Sequence, residues 1–133
     1  MKLTTKSEYS LLALIYIARH EKNGYIRIEE ICAHYNIPAK YLEHLMTTMK
    51  QNRVVKSRRG MGGGYQLGRP ARDIRIAEVI RLMDGALAPT ESVSTYYYAH
   101  TPLEQEQKIM DVFQDIRNYV ARKLERLRLS DLV

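Results

Sequence analysis

The chain has 133 residues, 45% of them hydrophobic, and a formal net charge of +6 at pH 7. That length suits one domain, or one small domain with an extension, and that apolar content excludes global disorder. No apolar run approaches the ~18 residues of a membrane span, and one cysteine, Cys32, can form neither an internal disulfide nor a cysteine-rich metal cage.

At the N-terminus, Thr5-Lys6-Ser7-Glu8 has the form of a capping box. Apolar residues recur at Leu11, Leu12, Leu14, Ile15, Ile17 and Ala18, which predicts a buried helix ending between Arg19 and Glu21. Lysines precede this apolar stretch, but Glu8 interrupts the approach and no small-residue cleavage site follows. A cytoplasmic protein is therefore expected, not a secreted one. Asn23-Gly24 reads as a turn.

Residues 28–35 predict a short helix with Ile28, Ile31, Cys32 and Tyr35 on one face, so Cys32 is expected to be a buried structural thiol. Asn36-Ile37-Pro38 ends it. The next helix is expected over about residues 39–52, with Leu42, Leu45, Met46 and Met49 as its buried stripe. Its other face carries Lys40, Tyr41, Glu43, His44, Thr47 and Lys50, all able to hydrogen bond. Two helices joined by a short turn match a helix-turn-helix, although a plain helical hairpin shares the pattern.

Residues 54–58 form a β-branched run and residues 65–67 a second. Between them lies the glycine-rich stretch RRGMGGG. A nucleotide-binding phosphate loop would lead into a helix with Lys-Ser or Lys-Thr after the last glycine; here Tyr65-Gln66 follows. The better reading is the tip of a β-hairpin, placed like a wing after a recognition helix. The alternative is a plain hairpin with solvated arginines. Charge favours the wing. Residues 1–84 hold 15 basic and 8 acidic side chains, while residues 85–133 hold 6 and 7. Lys50, Arg53, Lys56, Arg58, Arg59, Arg69 and Arg72 lie in one stretch without an acidic residue. Clustering of one sign points to a polyanionic partner.

Asp73 precedes an amphipathic segment over residues 76–83 that Gly85 should stop. Residues 86–101 lack helical period and read as a connection. Thr101-Pro102-Leu103-Glu104 signals a helix start. Ile109, Val112, Phe113, Ile116, Tyr119, Val120, Leu124 and Leu127 then alternate by threes and fours. This predicts a helix reaching Arg128, about 27 residues and about 40 Å long. So long a seam in so small a chain calls for a second subunit, with packing on its own domain as the alternative.

The segments MKLTTKSEY, IPAKYLEHLM, VVKSRRGMGGGYQLGRP, AEVIRLMDG and LSDLV together resemble the Rrf-two family of bacterial winged-helix transcription regulators. The resemblance covers essentially the whole chain. It implies a mainly α fold with a small β-hairpin wing: a winged helix-turn-helix over 1–84, a connecting or sensor segment over 85–101, and a dimerisation helix and tail over 102–133. It implies a homodimer on palindromic double-stranded DNA, acting as a repressor. By motif, Ala39, Lys40, Tyr41, Glu43 and His44 stand at recognition-helix positions, with Glu43 as a base-discriminating acceptor. Arg59 stands at the minor-groove position of the wing. Lys56, Arg58 and the backbone of Gly60, Gly62, Gly63 and Gly64 would meet phosphates. Ile109, Val112, Phe113, Ile116, Val120, Leu124 and Leu127 would form the dimer interface.

Cluster-binding members of the family carry three cysteines after the AEVI helix. This chain has none there, so no metal ligand is assigned and no iron–sulfur cluster is expected. Glu8, Glu91 and His100 are the only oxygen and nitrogen donors kept in view for one. Tyr96, Tyr97, Tyr98 and His100 occupy the vacated segment, either as effector contacts or as packing on a neighbouring subunit. A small molecule or a partner enzyme is expected as effector. A basic adaptor for RNA or an anionic membrane is the competing reading. An enzyme is not expected: His20, His34, His44 and His100 show neither metal-ligand spacing nor a triad pattern.

Overall fold

A computed structural model describes residues 1–133. Five α-helices and one two-stranded hairpin follow in the order α1 (Thr5–Arg19), α2 (Ile28–Tyr35), α3 (Ala39–Gln51), β1 (Val55–Arg58), β2 (Gly64–Leu67), α4 (Ile76–Asp84) and α5 (Gln107–Arg126). The core gathers one face of each of the first four helices and of the hairpin. Leu14, Ile17, Ile31, Leu42, Met46, Met49, Val54 and Ile74 are among its fully buried side chains. The stripe expected on α3 is buried as a whole.

The start of α1 differs from the expected capping box. Thr4, not Thr5, is the cap, and its hydroxyl accepts from the Lys6 N–H at 3.2 Å. Thr4 is itself held by Asp84 at the end of α4, whose carboxylate accepts from the Thr4 N–H (2.9 Å) and hydroxyl (2.5 Å). A capping pattern read from four adjacent residues misses a carboxylate 80 positions away. α2 ends at Asn36, which adopts the left-handed conformation (φ 56°, ψ 51°). Asn tolerates that region better than most non-glycine residues, which explains the sharp turn into α3.

β1 and β2 pair antiparallel from Val55↔Leu67 to Arg58↔Gly64. Ile26 adds a third edge: its N–H and C=O each bond Tyr65 at 2.8 Å. One residue between Gly24 and α2 is too short to read as a strand. It nevertheless fixes the hairpin to the core. A Cβ at Gly64 would collide with the Ile26 carbonyl, so glycine there is what permits the docking.

Residues 86–101 are more than a spacer, since Leu87, Ala88, Ser92, Val93 and Ser94 are buried. The last helix is shorter than expected. Pro102–Gln105 forms a separate 3-10 turn, and extended backbone at Glu106 (φ −124°, ψ 101°) breaks it from α5. The Thr101 hydroxyl donates to Ser92 at 2.8 Å rather than capping the turn. α5 has 20 residues, about 30 Å. After it the chain turns back. Leu129 is fully buried, and its N–H bonds the Ile74 carbonyl at 2.8 Å. Leu124 and Leu127, expected in a subunit seam, are half-buried and pack in part against the chain's own core. Cys32 is half-buried rather than buried. No helix is long and apolar enough to cross a membrane.

Candidate nucleic-acid interface

The exposed face of α3 presents Ala39, Lys40, Glu43 and His44 together at its N-terminal end. The buried stripe forces this: with Leu42, Leu45, Met46 and Met49 inward, helical period turns residues 40, 43, 44 and 47 outward. Pro38 holds the N-cap position without a capping side chain, which leaves the first N–H groups of α3 open to an anion. Tyr41 is different. It is half-buried, its hydroxyl lies 3.2 Å from that of Thr5, and its ring meets Tyr9 edge-on at 5.6 Å. Tyr41 therefore positions α3 against α1 and is only partly free for a ligand.

In the wing, Lys56, Arg58, Arg59, Gly60 and Gly62 are exposed. Arg58 is held in place. Its guanidinium lies 4.8 Å from the ring centroid of Tyr25 and donates to the Gly62 carbonyl at 3.4 Å. Arg59 and Lys56 make no ion pair. Gly63 and Gly64 do not offer backbone to a phosphate as expected. Gly63 is buried and its N–H bonds the Gly60 carbonyl at 3.0 Å, while Gly64 packs on Ile26. They shape the turn that carries Arg59. Tyr25 was not among the expected site residues. Only the cross-strand placement of the hairpin on Ile26 brings it under Arg58.

On α5, Ile109, Val112, Ile116 and Tyr119 are exposed, and Phe113 and Val120 are half-buried. No residue of α5 is buried. The four exposed apolar residues recur at spacings of three, four and three, one continuous stripe with nothing of this chain over it.

The expected effector residues separate into two groups. Tyr96 and Tyr97 line an open groove of about 530 Å³ with Asn52, Arg75, Arg81 and Glu125. The Arg81 guanidinium stacks 4.6 Å from the Tyr96 centroid and pairs with Glu125, and the Tyr97 hydroxyl donates to the Arg81 carbonyl at 3.3 Å. Tyr98 and His100 face elsewhere. The Tyr98 hydroxyl donates to Glu104 at 2.6 Å, and His100 Nδ1 lies 2.8 Å from the same carboxylate. That hydrogen bond raises the Tyr98 phenol above its ordinary value and lowers the Glu104 carboxyl.

Donors for a metal are dispersed. No three His, Cys, Asp or Glu side chains come together, so Glu8, Glu91 and His100 do not converge within one protomer. Burial, followed by the charges of Glu29 and Glu43, raises the Cys32 thiol, which disfavours the thiolate a metal would need. Elsewhere, a 2.5 Å hydrogen bond from Tyr16 to Glu30 and burial push the phenol up to about 12, tying α1 to α2.

Comparison with known proteins agrees with this architecture. The Rrf2 family, described as an iron-dependent transcriptional regulator, matches residues 3–133. The structure of CymR of B. subtilis, described as its global cysteine regulator, is similar with a TM-score of 0.86 at 28% identity, over 99% of this chain and 95% of that one. IscR of T. potens is similar with a TM-score of 0.77 at 25% identity, over 99% and 85%. The HTH-type transcriptional regulator IscR of Cereibacter sphaeroides is 27% identical over 135 residues, 100% of this chain and 87% of that protein. These relatives are transcriptional regulators and not enzymes. With a helix-turn-helix, a docked wing and a match spanning residues 3–133, this chain belongs to the Rrf2 family of transcriptional regulators.

Proposed function

We propose that the protein is a homodimeric repressor. It occupies palindromic promoter DNA through α3 and the wing, and responds to a small molecule or a partner protein. In this reading residues 1–84 meet DNA, 85–101 receive the signal and 102–133 join two protomers. The observation that carries it is the pairing of two surfaces on one rigid core. The outward face of α3 holds Lys40, Glu43 and His44, and beside it stands a wing whose free Arg59 is preorganised by the glycine turn and by Arg58 on Tyr25. In the major groove Glu43 would accept from cytosine N4, and Arg59 would enter the adjacent minor groove.

The test separates base reading from charge. Arg59→Ala should cost about 1–3 kcal/mol on an operator selected from random duplexes, and should relax base preference beside each half-site. Lys56→Ala should weaken all duplexes alike and lower the salt slope by about 1.8 for a dimer, 0.9 for each phosphate lost. Equal losses for both variants on operator and random DNA would reduce the wing to a charge patch. That outcome would favour a basic adaptor for RNA or an anionic membrane.

The family description names iron, but the donor set of this chain does not suit an iron–sulfur cluster. One half-buried thiol with a raised pKa is the only sulfur donor besides methionine. Signalling is therefore assigned to the groove at Tyr96 and Tyr97. It touches the end of α3 through Asn52, α4 through Arg81 and α5 through Glu125, so an occupant could bias the spacing of two recognition helices. Changing Tyr96 and Tyr97 together to alanine should abolish the response of DNA binding to cell-extract metabolites and leave unliganded binding intact. A full response in that variant would move the sensor elsewhere.

A further inference from the structure

The basic stretch is not exhausted by the recognition helix and the wing tip. Arg53 and Arg72 are exposed, make no ion pair and lie outside both, and Lys50, also exposed and without an ion pair, stands on the last turn of α3 beyond Lys40, Glu43 and His44. Two open grooves lie at the base of the hairpin, on the side away from its glycine tip. One, of about 670 Å³, is lined by Lys56, Gln66, Arg69 and Arg72, with Glu21 as its only carboxylate. The other, of about 350 Å³, is lined by Lys50, Arg53, Lys56 and Ser57. Both include Lys56 and Gly68, so they adjoin there and together make a cationic track.

The backbone at Arg53 gives this track a second, independent mark. α3 ends with two bonds: the Val54 N–H to the Met49 carbonyl at 2.9 Å, and the Arg53 N–H to the Lys50 carbonyl at 3.0 Å. That is a Schellman cap, and Arg53 occupies its left-handed position with φ 60°. Glycine is the favoured residue there, because a Cβ makes the conformation costly. The turn is locked from the far side as well. Gly68 packs so closely on the Arg53 carbonyl that a Cβ would collide with it, and the Arg69 side chain bridges that carbonyl (3.5 Å), the Asp73 carbonyl (3.1 Å) and the Glu78 carboxylate. A strained arginine whose backbone is fixed and whose guanidinium is unpartnered in the groove serves no evident purpose in the fold.

We propose that this track binds the phosphodiester backbone of duplex DNA outside the half-site. Each protomer's footprint then extends past the wing, with Arg53, Lys50 and Arg72 as phosphate contacts. This rests on the operator-binding reading above and adds the flank to it. Phosphate contacts of this kind carry no base information and add to affinity through counterion release.

The full-length protein is tested on two duplexes: a selected operator with about ten flanking base pairs on each side, one helical turn, and the same operator trimmed to its half-sites. Arg53→Gly should melt at or above the wild-type temperature, because it relieves the left-handed backbone. On the long duplex it should lower the salt slope by about 1.8 for a dimer, 0.9 for each phosphate lost. On the trimmed duplex it should bind like wild type. Arg72→Ala should show the same difference between duplexes. The proposal is overturned if wild type gains nothing from the flanks, or if Arg53→Gly weakens both duplexes equally. It is also overturned if the dependence on Arg53 appears only with single-stranded RNA. Failure to select any duplex would instead sink the operator reading itself, which is a separate result.

Discussion

Val112→Asp combined with Ile116→Asp should convert the protein to monomers and abolish operator binding while leaving the fold intact. Both side chains stand on the exposed stripe of α5, 50% and 43% exposed. They contribute nothing to the core of one protomer, so helical content should stay close to wild type, and melting should fall only by what dimerisation adds and lose its dependence on concentration. In a dimer each would be enclosed against a second copy of α5. Burying such a side chain stabilises by about 1.5–3 kcal/mol, and two helices contribute four of them. Four carboxylates in their place would have to be desolvated without partners. Loss of the dimer removes the second half-site, and with it the gain of binding two sites through one molecule. Sedimentation should report the monomer mass, and operator binding should fall to the level of random DNA. A variant that stays dimeric would place the subunit interface away from this stripe.

The sequence expresses local period well and distant partners poorly. The stripe Leu42, Leu45, Met46 and Met49 fixes which side of α3 faces out, and the glycine stretch with Tyr65-Gln66 after it distinguishes a hairpin from a phosphate loop. Those are short-range signals. The Ile26 edge, the Asp84 clamp on Thr4 and the return of Leu129 to Ile74 all join residues far apart, and no spacing announces them. The same limit explains the seam. Leu124 and Leu127 continue the period of Ile116 and Tyr119, yet they lie where the chain begins to fold back, so part of each side chain packs on its own core. Period identifies a face of a helix but not what covers it. At the site, Lys40, Glu43, His44 and Arg59 were legible as exposed polar positions. Tyr25 under Arg58 was not, since one aromatic residue before a short strand carries no pattern. Gly63 and Gly64 were legible as turn formers, while their enclosure against Gly60 and Ile26 depended on the third edge.

Leu129→Ala should destabilise the folded protomer itself more than any substitution on the exposed face of α5. Leu129 is fully buried, and deleting its branched end leaves a cavity costing about 2–5 kcal/mol. Domains of this size have only about 5–15 kcal/mol in all. The side chain also anchors a backbone ladder. The Leu129 N–H bonds the Ile74 carbonyl at 2.8 Å, the Ile76 N–H bonds the Leu127 carbonyl at 3.0 Å, and the Arg128 N–H is capped by Asp131 at 2.9 Å. Arg19 of α1 reaches the Leu132 carbonyl at 3.3 Å from the other side. This ladder joins the end of α5 to the strand-like entry of α4, and so couples the proposed dimer helix to the proposed DNA-reading core. Loosening it should let α5 vary its angle to that core. The melting midpoint should fall by roughly 10 °C or more. At a temperature where the variant is still folded, binding to paired half-sites should fall more than binding to random DNA, because only the former needs a fixed spacing. Leu103→Ala, at a 38% exposed position on the turn before α5, is the control and should melt close to wild type. If Leu129→Ala melted like Leu103→Ala, the tail would not be docked in the core. If it melted early but kept its preference for paired half-sites, the ladder would hold the fold without setting the geometry of the dimer.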